Sequence, residues 1–329
     1  ISAYAFYEGT SLKAVEIPNS VVEMGTHAFH GTQLEKISFP DSLLHIPAHA
    51  FYQCTNLKEI EIPDHIQTIG EYAFYGNAAL VKVNIGAGVT VIENYTSANC
   101  SMLSELTIGE SVTSIGYDAF SGNESLKKLV VPNSVTAIGN YAFENCSGLE
   151  DVVLGTNVTT MGDKTFSGTN VLRLTIPNHA YHTYTGGLTP SVIRVRGDAD
   201  AEAVKRSFLL ISTVTSFEIA EPAVEGAEIK YKAVDGVLYN ADGSQLLGYP
   251  KGRSEETYEV LEGTKVIEES AFEASLIKHV YLPDTLEAIK YRAFLGCANL
   301  ESLNMGSGLK NIGREAFRDC TLLTELVFS

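Results

Sequence analysis

The five cysteines are, by residue type, the most chemically reactive side chains in this chain. Each follows a phenylalanine, or in one case a serine, by three residues, and other repeats hold glycine, threonine or asparagine at that place. Such a place is a small inward site whose side chain fills space or bonds to nearby backbone. Cysteines two repeats apart lie too far apart for a bridge, at about 9–10 Å, and those on adjacent repeats point the same way. We predict five reduced, buried thiols: Cys54, Cys100, Cys146, Cys297 and Cys320.

The eight histidines do not form a recognisable metal site. Three local pairs occur, but a metal site needs three or more ligands at defined spacing, and HExxH is absent. The pair His179 and His182 departs most from the surrounding pattern. A nucleophile elbow, a P-loop and a dinucleotide fingerprint are also absent. We therefore predict no catalytic residue, no metal and no cofactor.

A repeat of 22 or 23 residues organises most of the chain. Its anchor is the dipeptide Ala-Phe, with Thr165-Phe166 as a variant and Ser97 in place of phenylalanine once. We predict that the anchor rings fill one core: Phe29, Phe51, Phe74, Phe120, Phe143, Phe166, Phe272, Phe294 and Phe317.

The unit from Phe120 to Phe143 shows how one repeat is built. Leu129 and Val131 alternate as in a half-buried strand, and Pro132, which has no N–H to donate, ends it. A turn and two further inward aliphatic residues lead to the next Ala-Phe. A unit this short cannot bury its own apolar face, so the units must stack into a solenoid of parallel strands.

One substitution predicts the backbone conformation of the segment that carries Ala-Phe. The residue four before the anchor is usually glycine, but it is Pro47 in one repeat. Proline fixes φ near −65°, which excludes a left-handed backbone there and suits the first position of a helix. We therefore place Ala-Phe on a one- to two-turn helix or 3₁₀ turn opposite the strand.

The pattern AFxxCxxLxxIxIPxSVxxIGxxAF resembles the BspA-like leucine-rich repeat family. Its clearest instance runs from Phe51 through Cys54 and Pro63 to Phe74, and the resemblance covers residues 1–177 and 251–329. It implies a right-handed leucine-rich-repeat-like coil of short parallel strands with short helical turns. It also implies a bacterial or protist surface or secreted protein that binds other proteins and has no catalytic residues.

The middle of the chain departs from this pattern. Ile193 and Phe217 keep the spacing of strands, and Asp198–Ile211 is predicted to form a longer helix that contains a surviving anchor, Phe208. A true linker is the alternative. The stretch from Ala233 to Pro250 reads as a β-hairpin around a glycine turn.

These observations predict four segments along the chain. They are a regular block at 1–177, degenerate repeats at 178–230, a β-hairpin at 231–250 and a second regular block at 251–329.

The composition of the chain argues against two classes of binding partner, nucleic acids and anionic membranes. The 329 residues include 23 basic and 40 acidic side chains, for a net charge of −17, which argues against nucleic acid and against a polybasic grip on membranes. No apolar run approaches a bilayer span, so we expect no membrane insertion. The chain opens on ISAYAF, in the middle of a repeat, which suggests a fragment. We expect a monomer that is secreted or displayed on a cell surface.

The outward residues of the strands form two kinds of surface. One stripe alternates in sign from Lys36 onward, which makes it self-neutralising: Ala14, Lys36, Glu59, Lys82, Glu105, Lys128, Asp151 and Arg173. Tyrosine-rich positions in the middle and C-terminal parts are the predicted interaction surface: Tyr181, Tyr184, Tyr239, Tyr249, Lys278, His279 and Tyr281. The alternative is that these tyrosines cover an irregular core.

The sequence thus favours a non-catalytic extracellular module that binds a host or matrix protein. Two alternatives stay open, a passive spacer for another domain and a carbohydrate-binding module that uses the tyrosine-bearing middle region. The partner is expected to be an extracellular protein or glycan.

Overall fold

The computed structural model describes residues 1–176, 187–201, 204 and 212–328. These residues form two compact units, the first comprising 1–171 with 187–188 and the second comprising the rest of the described chain. Each unit is built from short parallel strands, so the predicted repeat solenoid is confirmed. The predicted surface tyrosines Tyr181 and Tyr184, the His179–His182 pair and Phe208 lie outside the described residues.

The first unit contains two series of parallel strands. One series lies just after the leucine of each repeat: β2 (Glu59–Ile62), β4 (Lys82–Ile85), β6 (Glu105–Thr107), β8 (Lys128–Val130) and β10 (Asp151–Val153). The other consists of two-residue strands that form one six-stranded sheet: β1 (His45–Ile46), β3 (Thr68–Ile69), β5 (Val91–Ile92), β7 (Ser114–Ile115), β9 (Ala137–Ile138) and β11 (Thr160–Met161).

The first strand series carries the predicted charge stripe in register. In β2 the isoleucines are buried and the glutamates exposed, as period-two alternation requires. Glu59 pairs with Lys82 on β4, and Lys82 pairs with Glu105 on β6. Opposite charges therefore meet at successive coils, and this outer face carries no patch of a single sign along these three strands.

The Ala-Phe segment is not the helix or 3₁₀ turn that the sequence suggested. Residues 47–53 form successive turns, with Ala50 N–H bonded to Pro47 O and Tyr52 N–H bonded to His49 O. Alternate backbone N–H groups of this segment donate hydrogen bonds to the next coil. Phe51 N–H, for example, donates to Ala73 O at 2.8 Å. A helix would need those groups for its own i to i−4 bonds, so pairing between coils excludes it.

Left-handed residues make these turns possible. The residue two before each anchor has φ between 50° and 60°, for example His49 and Tyr72, which is the geometry of the third residue of a type II turn. The prediction that the Pro47 position does not have a left-handed backbone is correct. Gly70, which stands at the equivalent position of the next repeat, does not have positive φ. Gly70 is instead required for close approach, since a Cβ there would lie 2.4 Å from the backbone nitrogen of Ala48.

The anchor rings stack into the predicted core. In the first unit, Phe143 lies between Phe120 and Phe166, with ring centroids 5.5 and 5.4 Å away. Ser97 is buried where one ring is missing. The predicted core rings are fully buried except for Phe317, which is partly exposed on the last repeat.

The cysteine column bonds to backbone, as predicted. The Cys54 thiol donates to Phe29 O at 3.0 Å, and Cys146 donates to Phe120 O at 3.2 Å. Asn123 occupies the same column and its amide bonds to two carbonyls of neighbouring turns. Burial raises the pKa of Cys54 to about 11 and that of Cys100 to about 12, so these thiols stay protonated.

The cysteines of the second unit follow the same rule with one correction. Cys297 is buried, but Cys320, on the last repeat, is only partly buried. Both donate to the anchor carbonyl of the preceding coil. The interaction between the two thiols, together with burial, raises the pKa of Cys297, and the same interaction lowers the pKa of Cys320.

The second unit begins with three parallel strands, which are followed by a meander. The parallel strands are β12 (Arg173–Thr175), β13 (Val192–Arg196) and β14 (Ser216–Ala220). Ile193 pairs with Phe217, so both predicted strands are present. The predicted helix over Asp198–Ile211 falls largely outside the described residues, although Ala201 and Val204 are helical.

The predicted β-hairpin is present as part of a three-stranded antiparallel meander: β15 (Tyr231–Val234), β16 (Val237–Asn240) and β17 (Gln245–Gly248). Asp235 and Gly236 join β15 to β16, and both have positive φ, as a type I′ turn requires.

Two parallel sheets complete the second unit. One continues from β17 through two-residue strands: β19 (Val266–Ile267), β21 (Ala288–Ile289) and β23 (Asn311–Ile312). The other is the outward-facing series: β18 (Thr257–Glu259), β20 (His279–Tyr281), β22 (Ser302–Met305) and β24 (Glu325–Phe328). No helix in the described residues has both the length and the apolar character to cross a bilayer.

The hairpin tyrosines are core residues, which corrects their predicted place on an interaction surface. Tyr239 is fully buried and its hydroxyl lies 2.7 Å from that of Tyr258. Tyr249 stacks on Phe272 at 4.9 Å, and its N–H donates to Ala271 O, as an anchor phenylalanine would. Tyr249 stands 23 residues before Phe272, so it is the anchor of an extra coil.

We expect Phe143→Ala to destabilise the protein by about 3–5 kcal/mol, because it leaves a cavity between two stacked rings. Val130→Ala, on the exposed face of β8, is the matched control and should change stability by less than about 0.5 kcal/mol. Urea unfolding followed by circular dichroism measures both. Equal losses in the two variants would contradict a continuous ring core.

Candidate functional site

Nine aromatic rings lie outside the core on the turns of the first five repeats. They occupy two columns, one two residues before the anchor and one directly after it. We call them the aromatic turn surface: Tyr4, Tyr7, His27, His30, His49, Tyr52, Tyr72, Tyr75 and Tyr95. Tyr4 and Tyr7 are 55% and 42% exposed, and the other seven rings are half-buried.

The first column is an unbroken stack of five rings. Centroids are 4.7 Å apart from Tyr4 to His27, 4.4 Å from His27 to His49, and 4.8 Å from His49 to Tyr72. Tyr95 continues the column at 4.5 Å from Tyr72. All four pairs are nearly parallel, within 18°. Stacking at the coil spacing therefore covers the ring faces and leaves the edges outward.

The second column runs beside the first. Tyr7 stacks on His30 at 4.6 Å, His30 on Tyr52 at 4.7 Å, and Tyr52 on Tyr75 at 5.0 Å. Rings of the two columns also meet across each coil, for example His49 and Tyr52 at 5.6 Å. The result is a continuous double row of phenol and imidazole edges.

The coil backbone does not require aromatic residues at these places. Asp118, Lys164, Ser270, Arg292 and Glu315 occupy the first column in other repeats, with φ between 50° and 59°. A left-handed backbone costs a residue other than glycine about 1–2 kcal/mol, and aromatic rings do not lower that cost. Tyr141 holds a ring in the first column of the seventh repeat, but the double row of stacked rings is a feature of the first five repeats and not a condition of the fold.

Two histidines in the surface, His30 and His49, favour the neutral form. Burial, followed by the nearby His27, lowers the pKa of both His30 and His49, while Glu8 and Glu71 oppose the shift. The Nδ1 atoms of His27 and His30 are buried without a hydrogen-bond partner among the described residues. A proton added here would therefore lie beside other imidazoles in a partly desolvated stack.

Carboxylates border the rings. Glu8 contacts Tyr7 and raises its pKa, and the charge of Asp118 adds to burial in raising the pKa of Tyr95. Glu71 lies near His49 and accepts a hydrogen bond from Asn94. The first basic residue in the ring column is Lys164, whose ammonium lies 5.8 Å from the centroid of the Tyr141 ring.

The described residues contain no group of three or more histidine, cysteine or acidic side chains placed to hold a metal ion. The physical reason is clear for the stacked histidines. Parallel imidazoles direct their nitrogen lone pairs side by side, whereas a metal needs them to converge on one point.

The repeat columns described above identify the chain. The sequence matches the BspA type leucine rich repeat region in six copies, over residues 1–104, 75–185 and 253–329. The chain belongs to the BspA-type leucine-rich repeat family. The strands and anchor rings recur along this chain, so a feature specific to some repeats lies in what those repeats carry on their outer faces.

Solved structures include similar leucine-rich repeat chains. A leucine-rich repeat protein from Bacteroides ovatus ATCC 8483 is 25% identical, covers 99% of this chain and 82% of its own, and has a TM-score of 0.50. A leucine rich cell surface protein from Faecalibacterium prausnitzii A2-165 is 24% identical over 87% of this chain and 83% of its own, with a TM-score of 0.41. No curated protein matches the chain.

The sequence-predicted residues of the C-terminal part of this BspA-type chain lie together on β20 and the residue before it. The Lys278 ammonium pairs with Glu256 at 2.5 Å, and His279 bonds to Ser302 at 2.9 Å. Tyr281 is 46% exposed. Two of the three polar groups are thus engaged within the unit, and Tyr281 is the one that offers a free ring.

Sequence reasoning missed the aromatic turn surface. The missing signal was an aromatic residue on each side of the anchor, three residues apart, in four consecutive repeats: Tyr4 and Tyr7, His27 and His30, His49 and Tyr52, Tyr72 and Tyr75.

Acid should weaken the first unit through its stacked histidines. Because the pKa values of His30 and His49 are lowered on folding, the unfolded chain takes up protons first as pH falls below about 6.5, and stability falls with it. Replacing His30 and His49 together by tyrosine keeps the stacks and should reduce the loss of urea midpoint between pH 7.5 and 5.5. The exposed-histidine variant His45→Thr should keep the full loss. Equal pH dependence in all three proteins would contradict the prediction.

Proposed function

We propose that this chain is a non-catalytic extracellular or cell-surface module that binds another protein through the aromatic turn surface. The observation that carries the proposal is the double row of nine stacked rings on five consecutive repeats, at two columns where later repeats also hold non-aromatic residues. Tyrosine edges with hydroxyl groups are typical of protein-binding surfaces, since they combine apolar area with hydrogen bonding at low entropic cost. Family membership supports this role.

The carbohydrate alternative has less support than the protein-binding one. Two of its four tyrosines, Tyr239 and Tyr249, are in the core and cannot meet a sugar. The faces of the aromatic turn surface are covered by neighbouring rings. A passive spacer would make no use of a localised ring surface.

Removal of two rings from the middle of the surface tests the proposal. Serine already follows the anchor in other repeats, as Ser121 and Ser167, so Tyr52→Ser with Tyr75→Ser should fold. The full chain is applied to immobilised extracellular matrix proteins and to a glycan array. We expect binding to at least one matrix protein, reduced at least tenfold by the double substitution.

The control for that experiment is Val130→Ser with Met102→Ser, which removes two exposed apolar side chains elsewhere in the first unit. It should bind as the unchanged protein does. Signals on glycans alone would favour the carbohydrate alternative, and no signal on either array would favour a spacer.

A second surface around Lys278, His279 and Tyr281 remains a proposal. The exposed ring of Tyr281 supports it. We expect Tyr281→Ala to change stability by less than about 0.5 kcal/mol and to lower affinity for a captured partner if this face is used. Tyr239→Ala cannot serve as the parallel test, because loss of a buried ring costs about 3–5 kcal/mol. Unchanged affinity in the Tyr281 variant would remove this surface from the proposal.

A further inference from the structure

We propose that the aromatic turn surface recognises an extended polypeptide segment rich in lysine and arginine. The inference rests on the proposed function and adds the chemistry of the partner. Its basis is the arrangement of charge around the nine rings.

Basic and acidic side chains are segregated in the first seven repeats. In these repeats the basic residues all lie on the strand side. Each follows the leucine of its own repeat, just before or in the first strand, by one or two residues: Lys13, Lys36, Lys58, Lys82, Lys127 and Lys128. The turn segments around the rings carry only acidic charges: Glu8, Glu71, Glu93, Asp118 and Glu144. The strand face alternates in sign, whereas the turn face has one sign, and a single-sign face favours a partner of opposite charge.

The stacked rings reinforce this preference. Their faces are covered by one another at 4.4–5.0 Å, so a sugar ring or a nucleic acid base finds few faces on which to stack. The edges present tyrosine hydroxyls, which accept hydrogen bonds from ammonium and guanidinium donors. Lys164 over Tyr141 shows a lysine of this chain in contact with a ring of the same column.

The length of the surface suits a short extended segment. The four centroid distances from Tyr4 to Tyr95 add to about 18 Å. An extended chain advances about 3.3 Å per residue, so about six residues span the rings. Along that path a segment passes Glu8 at one end, Glu71 in the fourth repeat and Asp118 just past Tyr95.

The inference also predicts a pH dependence, because His30 and His49 stand inside the surface. Their charged and titratable neighbours are Tyr7, Glu8, His27, Tyr52, Glu71 and Tyr72. Protonation adds positive charge between the carboxylates and repels a basic segment. Binding should weaken as pH falls from 7.5 to 5.5, and the double variant H30Y/H49Y should reduce that dependence.

The test uses the full chain and a fluorescein-labelled twelve-residue peptide of alternating arginine and serine, followed by fluorescence anisotropy at about 0.15 M salt, where exposed charges are screened beyond about 8 Å. One variant neutralises the turn face with Glu8→Gln, Glu71→Gln and Asp118→Asn. The matched control neutralises the strand face with Glu16→Gln, Glu59→Gln and Glu105→Gln. Both change net charge equally, so only position differs. We expect at least a tenfold loss of affinity in the first variant and less than a twofold loss in the control.

Three results would overturn the inference. Equal losses in the two variants would show unspecific attraction to an acidic protein. An analogous peptide with glutamine in place of arginine that binds equally well would show that basic charge is not read. A pH dependence of binding that is unchanged in the H30Y/H49Y variant would show that the stacked histidines do not take part in binding. If matrix proteins still bind in a manner sensitive to Tyr52→Ser with Tyr75→Ser, the proposed function stands while the basic partner fails.

Discussion

Hydrogen bonding between successive coils is the interaction on which the rest of this structure depends. In successive described repeats the turn that carries the anchor donates alternate amides to the following coil, as Phe51 does to Ala73 O and Phe120 does to Ala142 O at 2.8 Å. Two parallel strand series make the same kind of connection elsewhere in the coil. Because these bonds hold each repeat in register with the next, every column of the sequence becomes a line of touching side chains.

The columns differ in chemistry because their surroundings differ. Inward columns must be apolar or must satisfy backbone groups, which explains why phenylalanine recurs at the anchor and why cysteine, asparagine and threonine share the small place beside it. Outward strand columns place like positions about 5 Å apart, so charges alternate to avoid repulsion. The two columns on the turns that hold the aromatic turn surface are neither buried in the core nor part of the alternating charge stripe. They are free to vary between repeats, and this freedom is where a binding surface can be built on a common scaffold.

Much of the architecture could be predicted from periodicity. The strand positions, the proline stop and the anchor core follow from the spacing of Leu129, Val131, Pro132 and Phe143, since residues at fixed spacing must share a face. The conformation of the anchor turn could not. Pro47 excludes positive φ at its own position, but nothing local shows that His49, two residues later, takes φ of 58°. That geometry is stabilised by bonds to another coil, 22 residues away in sequence.

The sequence by itself determined the repeat, the stacking of its units and the lack of a recognisable catalytic motif, because those depend on spacing and residue type alone. Only the tertiary structure decided which aromatic residues are available. Tyr239 and Tyr249 are buried because the hairpin strand β17 pairs with β19 and supplies an extra coil. The rings of the aromatic turn surface remain outside the core because they flank the inward anchor position and do not occupy it. A tyrosine has the same side chain in both places, and its role depends on which surface its backbone hydrogen bonds leave exposed.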